Sequence, residues 1–310
     1  MLSRRQLRIK VLQSLYAFFQ GQKSDLAIAE RELFRSIDKV NELYIYLLLF
    51  LQELSESDLQ DADELGQKFY PNKDEVDAKT RLHSLKFIVA LDASDEFRQQ
   101  VGQYRLSWQR NRDEVRKIYL EIKKSDEYRA LIRGEKADEK DFLVELIKKY
   151  FLQVETISHL LEEENIFWLD DLDFICHIMI RMVKSFYDSG TFALSPLYKD
   201  EEDDKEFVKV LFVKTILNNP EYETAISERT KNWEVERIAL MDILILKMAL
   251  AELIHFPNIP VKVSINEYID ISKEYSTPKS KQFVNGVIDK LAIDYKDQGK
   301  IVKSGRGLIG

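Results

Sequence analysis

Trp233–Leu291 reads WEVERIALMDILILKMALAELIHFPNIPVKVSINEYIDISKEYSTPKSKQFVNGVIDKL. The stretch predicts three helices in close succession. From Glu234 to His255 the residues Leu240, Ile243, Leu244, Ile245, Leu246, Met248, Ala249 and Leu250 leave little polar face, so this helix is expected to be buried nearly all round. Pro257 and Pro260 stop it. Ser264-Ile265-Asn266-Glu267 has the form of a capping box, with Ser264 as N-cap of the next helix. Thr277-Pro278 supplies an N-cap and a proline at the first position of the third. Gly286 inside that helix costs about 1 kcal/mol against alanine. Such a cost is expected where another helix approaches closely.

Working outward, the same periodicity runs through most of the 310 residues. Leu7, Val11, Leu12, Leu15, Phe18 and Phe19 recur at helical spacing over residues 4–20, and Gly21 closes that helix. Ser24 or Asp25 caps the next, which should run to about Leu54 before a polar, turn-rich stretch at 55–80. Further helices are expected over 81–91, 94–124, 125–133, 139–163, 168–187, 204–218 and 221–232, with a loop from Asp188 to Asp204 that holds the acids DEEDD. Ten glycines and six prolines are too few for a fold rich in tight turns. The fold class is all-α. Lys140-Asp141-Phe142 and Lys205-Glu206-Phe207 lie 65 residues apart, as do Trp168 and Trp233. Either the middle of the chain is a degenerate repeat, or two amphipathic helices match through periodicity alone.

The net charge is −8, which argues against indiscriminate nucleic-acid binding. The charge is uneven, however. Residues 1–24 carry Arg4, Arg5, Arg8, Lys10 and Lys23 with no acid. Basic ends on an acidic body predict a localised anion-binding face. Arg4, Arg5 and Arg8 stand in the first turns of their helix, where the dipole disfavours cations, so they are either tolerated on a solvated face or serve a ligand. Lys279 and Lys281 flank the start of the last helix, a ready anion site.

Other chemistries find little footing. Cys176 is the single cysteine and sits among Phe174, Ile175, Ile178 and Met179, so a core thiol in a reducing compartment is expected. No stretch of about 18 apolar residues is present to span a membrane. The N-terminal apolar run is interrupted by Arg8, Lys10, Gln13 and Ser14, unlike a signal peptide. The four histidines are scattered, so no metal or cofactor is expected. Gly305–Gly310 fits GxGxxG but follows no strand and opens no helix. No catalytic constellation is present, and the chain is expected not to be an enzyme.

Three segments resemble the NusB family. They are Asp242–Leu253 (DILILKMALAEL), Pro260–Glu267 (PVKVSINE) and Ser280–Lys290 (SKQFVNGVIDK). Arg4-Arg5-Gln6-Leu7-Arg8 through Gln13-Ser14-Leu15-Tyr16 is similar to the family's arginine-rich first helix. Together they cover about a third of the chain. The resemblance implies a helical bundle of two subdomains. It also implies binding of boxA-type single-stranded RNA in ribosomal transcripts, jointly with the ribosomal protein NusE, within an RNA polymerase antitermination complex. By position it implies RNA contact for Arg4, Arg5, Arg8 and Phe283, and partner contact for Tyr16 and Asp242. Lys10 and the corner Lys279, Lys281, Gln282 and Phe283 complete the expected RNA face.

The expected organisation is a basic helix and subdomain start over 1–35, a helical insertion over 36–200, a NusB-like domain over 201–295 and a basic flexible tail over 296–310. Two rival readings are an accessory partner of an rRNA-modifying enzyme and a protein-only helical scaffold. A cytoplasmic location is expected.

Overall fold

The computed structural model describes residues 1–21, 25–66, 81–134, 138–230 and 239–304. Among these every regular element is helical. They form two compact units, one of Met1 and Asp38–Leu197, the other of Leu2–Ile37 and Tyr198–Gly310.

The second unit holds α1 (Arg4–Gln20) and the start of α2 (Leu26–Gly66). To these it adds α10 (Glu201–Leu217), α11 (Asn219–Arg229), α12 (Leu240–His255), α13 (Val261–Tyr275) and α14 (Ser280–Asp297). Helix α12 is central and packs against α1, α10, α11, α13 and α14. Its residues 244–253 are all buried, as the unbroken apolar run requires. Two charged residues interrupt that run, and both are paired. Lys247 donates to Asn219 Oδ1 (2.6 Å) and Glu223 Oε2 (3.0 Å), which fastens α11. Glu252 is taken up below.

Helix boundaries around α12 differ from the sequence reading in three places. Helix α13 begins at Val261 after Pro260 (φ −60°, ψ 143°), so Ser264 lies inside it, buried, and does not cap it. Helix α14 begins at Ser280, with Thr277 and Pro278 in the preceding turn. The acids 201–204, expected in a loop, form the first turn of α10, where Asp200 Oδ1 accepts the Asp203 N–H (3.1 Å) and the dipole favours negative charge. The expected helix start at Glu234 lies outside the described residues, as does Trp233.

The first unit continues α2 from Asp38 and adds α3 (Lys86–Ala93), α4 (Asp95–Tyr104), α5 (Arg112–Lys124), α6 (Asp126–Arg133), α7 (Glu139–Leu146), α8 (Glu155–Glu164) and α9 (Leu172–Ser189). Its core is aromatic. Tyr46 stacks on Trp108 at 4.2 Å, with Trp168, Phe50 and Phe151 packed around them. Helix α2 runs past the expected end at Leu54 because the polar residues beyond it face inward. Asp58, fully buried, accepts from Leu82 N–H (2.8 Å), Tyr119 OH (3.0 Å) and Tyr128 OH. Asp61 takes Lys123 (2.7 Å).

Two expected long helices are broken. Arg105 adopts the left-handed region (φ 55°) and separates α4 from α5. A π-helical segment, Ile147–Phe151, interrupts 139–163. The segment from Lys140 therefore does not fold like its counterpart 65 residues on, which is a single regular helix.

Beyond α14 the chain packs as far as it is described. Ile301 is buried, Lys303 Nζ donates to Phe256 O (2.9 Å), and Ser304 N–H donates to Pro257 O (3.0 Å). No helix among the described residues is long and apolar enough to cross a membrane.

The close helix approach expected at Gly286 is absent, since a Cβ built there meets nothing within 4 Å. Gly286→Ala should therefore raise stability by about 0.5–1 kcal/mol in chemical denaturation through helix propensity alone. Destabilisation would reveal a steric demand that the packing does not show.

Candidate nucleic-acid interface

Three arginines on α1 were expected to act alike, and the fold gives each a different setting. Arg8 is 2% exposed. Its Nε and Nη2 donate to Glu252 Oε2 (2.7 Å) and Oε1 (2.8 Å), a bidentate pair. Glu252, itself 0% exposed, also accepts from Ser264 Oγ (2.7 Å) and Tyr268 OH (3.0 Å). One carboxylate thereby joins α1, α12 and α13. Burial pulls the Arg8 guanidinium down, but the Glu252 hydrogen bonds and charge outweigh it and hold the group charged well above its ordinary range. Burial first, and Glu252 second, push the Tyr268 hydroxyl far up, so it stays a donor.

Arg5 is half-buried. It donates through Nε to Glu267 Oε2 (2.9 Å) and through Nη2 to Glu267 Oε1 (3.0 Å) and Asp270 Oδ2 (2.9 Å), all on α13. The Glu267 hydrogen bonds are the main cause that raises its guanidinium above the usual value. Arg4 points to α10. It pairs with Asp203 through Nη2 and with Asp204 through Nε (3.1 Å), and its guanidinium lies 4.3 Å above the Phe207 ring.

Arg4, Arg5 and Glu267 border a groove of about 890 Å³. Its lining also includes the acids Asp203 and Glu206, Phe256 and Pro260 of the α12–α13 connection, and Val263, which is 45% exposed. Arginines and apolar side chains in one groove are the two group types that a single-stranded polynucleotide uses, although three acids (Asp203, Glu206 and Glu267) share the lining with the arginines.

The other expected site residues divide in the same way. Lys279, Lys281 and Gln282 are exposed at the start of α14. Phe283 is 5% exposed and packs inward, so its ring offers no face for stacking. Lys10 is 4% exposed. Asp242, expected at a partner surface, is 5% exposed and accepts from Ser280 Oγ (2.7 Å), which ties the start of α12 to the start of α14. Tyr16 is 40% exposed on α1. These differences share one cause. The N-terminal half of α1 and the start of α14 are packed against α12, so roughly one side of each remains at the surface.

Sequence reasoning missed the acids that receive the arginines, namely Glu252, Glu267, Asp270, Asp203 and Asp204. Glu252 carried a signal: a single acid inside MALAEL must be paired if that helix is buried.

The α10, α12 and α13 side of the groove lies where similarity to known proteins concentrates, whereas Arg4, Arg5 and Arg8 lie outside it. The model of the NusB family matches residues 187–292. The transcription antitermination protein NusB of Salinibacter ruber is 45% identical over 111 residues, 36% of this chain and 69% of that protein. The chain belongs to the NusB family. The protein of the same name from Chloroherpeton thalassium is 41% identical over 105 residues, covering 34% of this chain and 50% of its own length. That from Alkaliphilus oremlandii is 38% identical over 90 residues, 29% and 65% respectively. No solved structure matches the chain. The Arg8–Glu252 pair binds the first helix to the family-matched C-terminal bundle across 244 residues of sequence.

The two arginines at the extremes of burial should separate in stability measurements. Arg8→Ala leaves Glu252 charged and buried, and should cost about 3–5 kcal/mol in urea unfolding. Arg4→Ala, at a half-exposed pair, should cost no more than about 1 kcal/mol. Equal costs would contradict these assignments.

Proposed function

We propose that this protein is a non-enzymatic RNA-binding antitermination factor. It would act on boxA-type single-stranded RNA in ribosomal transcripts, in the cytoplasm, with the ribosomal protein NusE and as part of an RNA polymerase antitermination complex. The observation that carries this reading is the groove beside α1. It brings Arg4 and Arg5, from outside the family-matched residues 187–292, into one groove with Phe256, Pro260 and Val263 from within them. The relatives' names supply the process, and the groove's chemistry supplies an RNA-compatible surface.

The RNA face we propose is narrower than the basic sequence suggests. It consists of Arg4, Arg5 and the α14 corner Lys279, Lys281 and Gln282. Arg8 reaches the groove only as a fork closed by Glu252, and Lys10 and Phe283 are buried, so these three back that face rather than form it. Tyr16 is retained as a candidate partner contact because it is exposed, whereas Asp242 acts as an internal tie that positions the Lys279–Gln282 corner. Residues 36–200 are proposed as a helical insertion into the NusB scaffold, facing protein and not RNA, in keeping with its acidic composition.

Fluorescence anisotropy with boxA RNA and a scrambled control, with and without NusE, tests the reading. Wild type should prefer boxA, and NusE should tighten binding. Replacing Arg4, Lys279 and Lys281 by alanine together should weaken binding and flatten the logarithmic salt dependence by roughly 0.7 per phosphate contact removed. Absence of binding by folded wild-type protein with NusE present would leave the helical-scaffold reading in its place.

A further inference from the structure

Arg4 does not face the groove with an open guanidinium. In the free protein its anion position is filled by the acidic start of α10, and the two acids there are unequal. The Asp204 side chain is 6% exposed, and its Oδ2 accepts the backbone N–H groups of Lys199 (3.0 Å) and Asp200 (3.2 Å). It builds the turn from which α10 starts. The Asp203 carboxylate is 74% exposed and reaches Arg4, while its contribution to the turn comes from its backbone N–H. Asp203 can therefore let go of Arg4 without undoing the helix start.

Arg4 would keep its place after that release. Its guanidinium is stacked over Phe207 and still held through Nε by Asp204, so Nη2 is freed on a side chain that already lines the groove. Arg5 differs, because its fork is closed bidentately by Glu267 and again by Asp270. An exposed ion pair of the Arg4–Asp203 kind is weak. A phosphate diester offers the same charge and two acceptor oxygens, and a polynucleotide adds the entropy of released counter-ions.

We propose that Asp203 is a built-in competitor for RNA phosphate. Its carboxylate occupies the Arg4 anion position in the free protein and is displaced on binding, so this side chain lowers RNA affinity. The proposal rests on the RNA-binding reading above. It assigns an affinity-determining role to a residue outside the basic segments.

The test is anisotropy with boxA RNA at low salt for wild type, Asp203→Asn and Glu202→Gln, the last removing the same charge from an exposed neighbour in the same turn. Asp203→Asn is repeated in an Arg4→Ala background, and thermal melts confirm that each variant is folded. Asp203→Asn should tighten binding about two- to fivefold, Glu202→Gln by clearly less, and the gain should vanish without Arg4. Binding by Asp203→Asn alone would mean complete masking and also supports the proposal. A gain equal to that of Glu202→Gln, or one that persists in Arg4→Ala, would overturn the competitor and leave the RNA reading standing. No binding by any folded variant, with NusE also present, would overturn both.

Discussion

The Glu252 carboxylate is the constraint on which the NusB-family unit depends. It lies in the most apolar helix of the chain, without access to water, and accepts four hydrogen bonds from three side chains. A charge in that position is tolerable only when it is fully satisfied. The satisfaction comes from α1 and α13, which are distant in sequence from each other. Docking of the first helix is thus a condition for burying the central one. Ser264 cannot serve as the N-cap that its sequence context suggests, because its hydroxyl is needed at Glu252. The helix then starts earlier, at the point that Pro260 permits.

The same constraint distributes roles along α1. Arg4 and Arg5 lie one turn before Arg8 on nearly the same side of α1, at the more exposed end of that side, where α10 and α13 meet them with acids. The cations at this helix N-terminus are unfavourable by the helix dipole, and the acids offset that cost. They also temper the surface. In a chain of net charge −8 the arginines that line the groove are each held close to acids, so the lining carries both signs of charge rather than an open basic patch.

The C-terminal bundle was legible in the sequence because its signals are local. The apolar run of α12, the prolines after it and the family-like segments all act within a few residues. The helical span of α1 was read correctly from periodicity alone. Failures occurred where a distant partner decides the outcome. Asp58 and Asp61 look like turn residues until Tyr119, Tyr128 and Lys123 are brought to them. Arg8 and Phe283 look like ligand-facing residues because a basic or aromatic side chain carries no mark of which way its helix will face. Gly286 was assigned a packing role from its cost, yet the space around it is open. Nothing near Arg4 in sequence announces Asp203, since 199 positions separate them.

The central claim is that RNA is held by the NusB-family unit, at the exposed start of α1 and the start of α14. Photo-crosslinking of 4-thiouridine boxA RNA to the full chain, followed by peptide mass spectrometry, addresses it most directly. Crosslinks should fall in peptides containing residues 3–5, the α12–α13 connection and residues 277–282. Crosslinks confined to Asp38–Leu197 would contradict the account and move RNA recognition to the other unit.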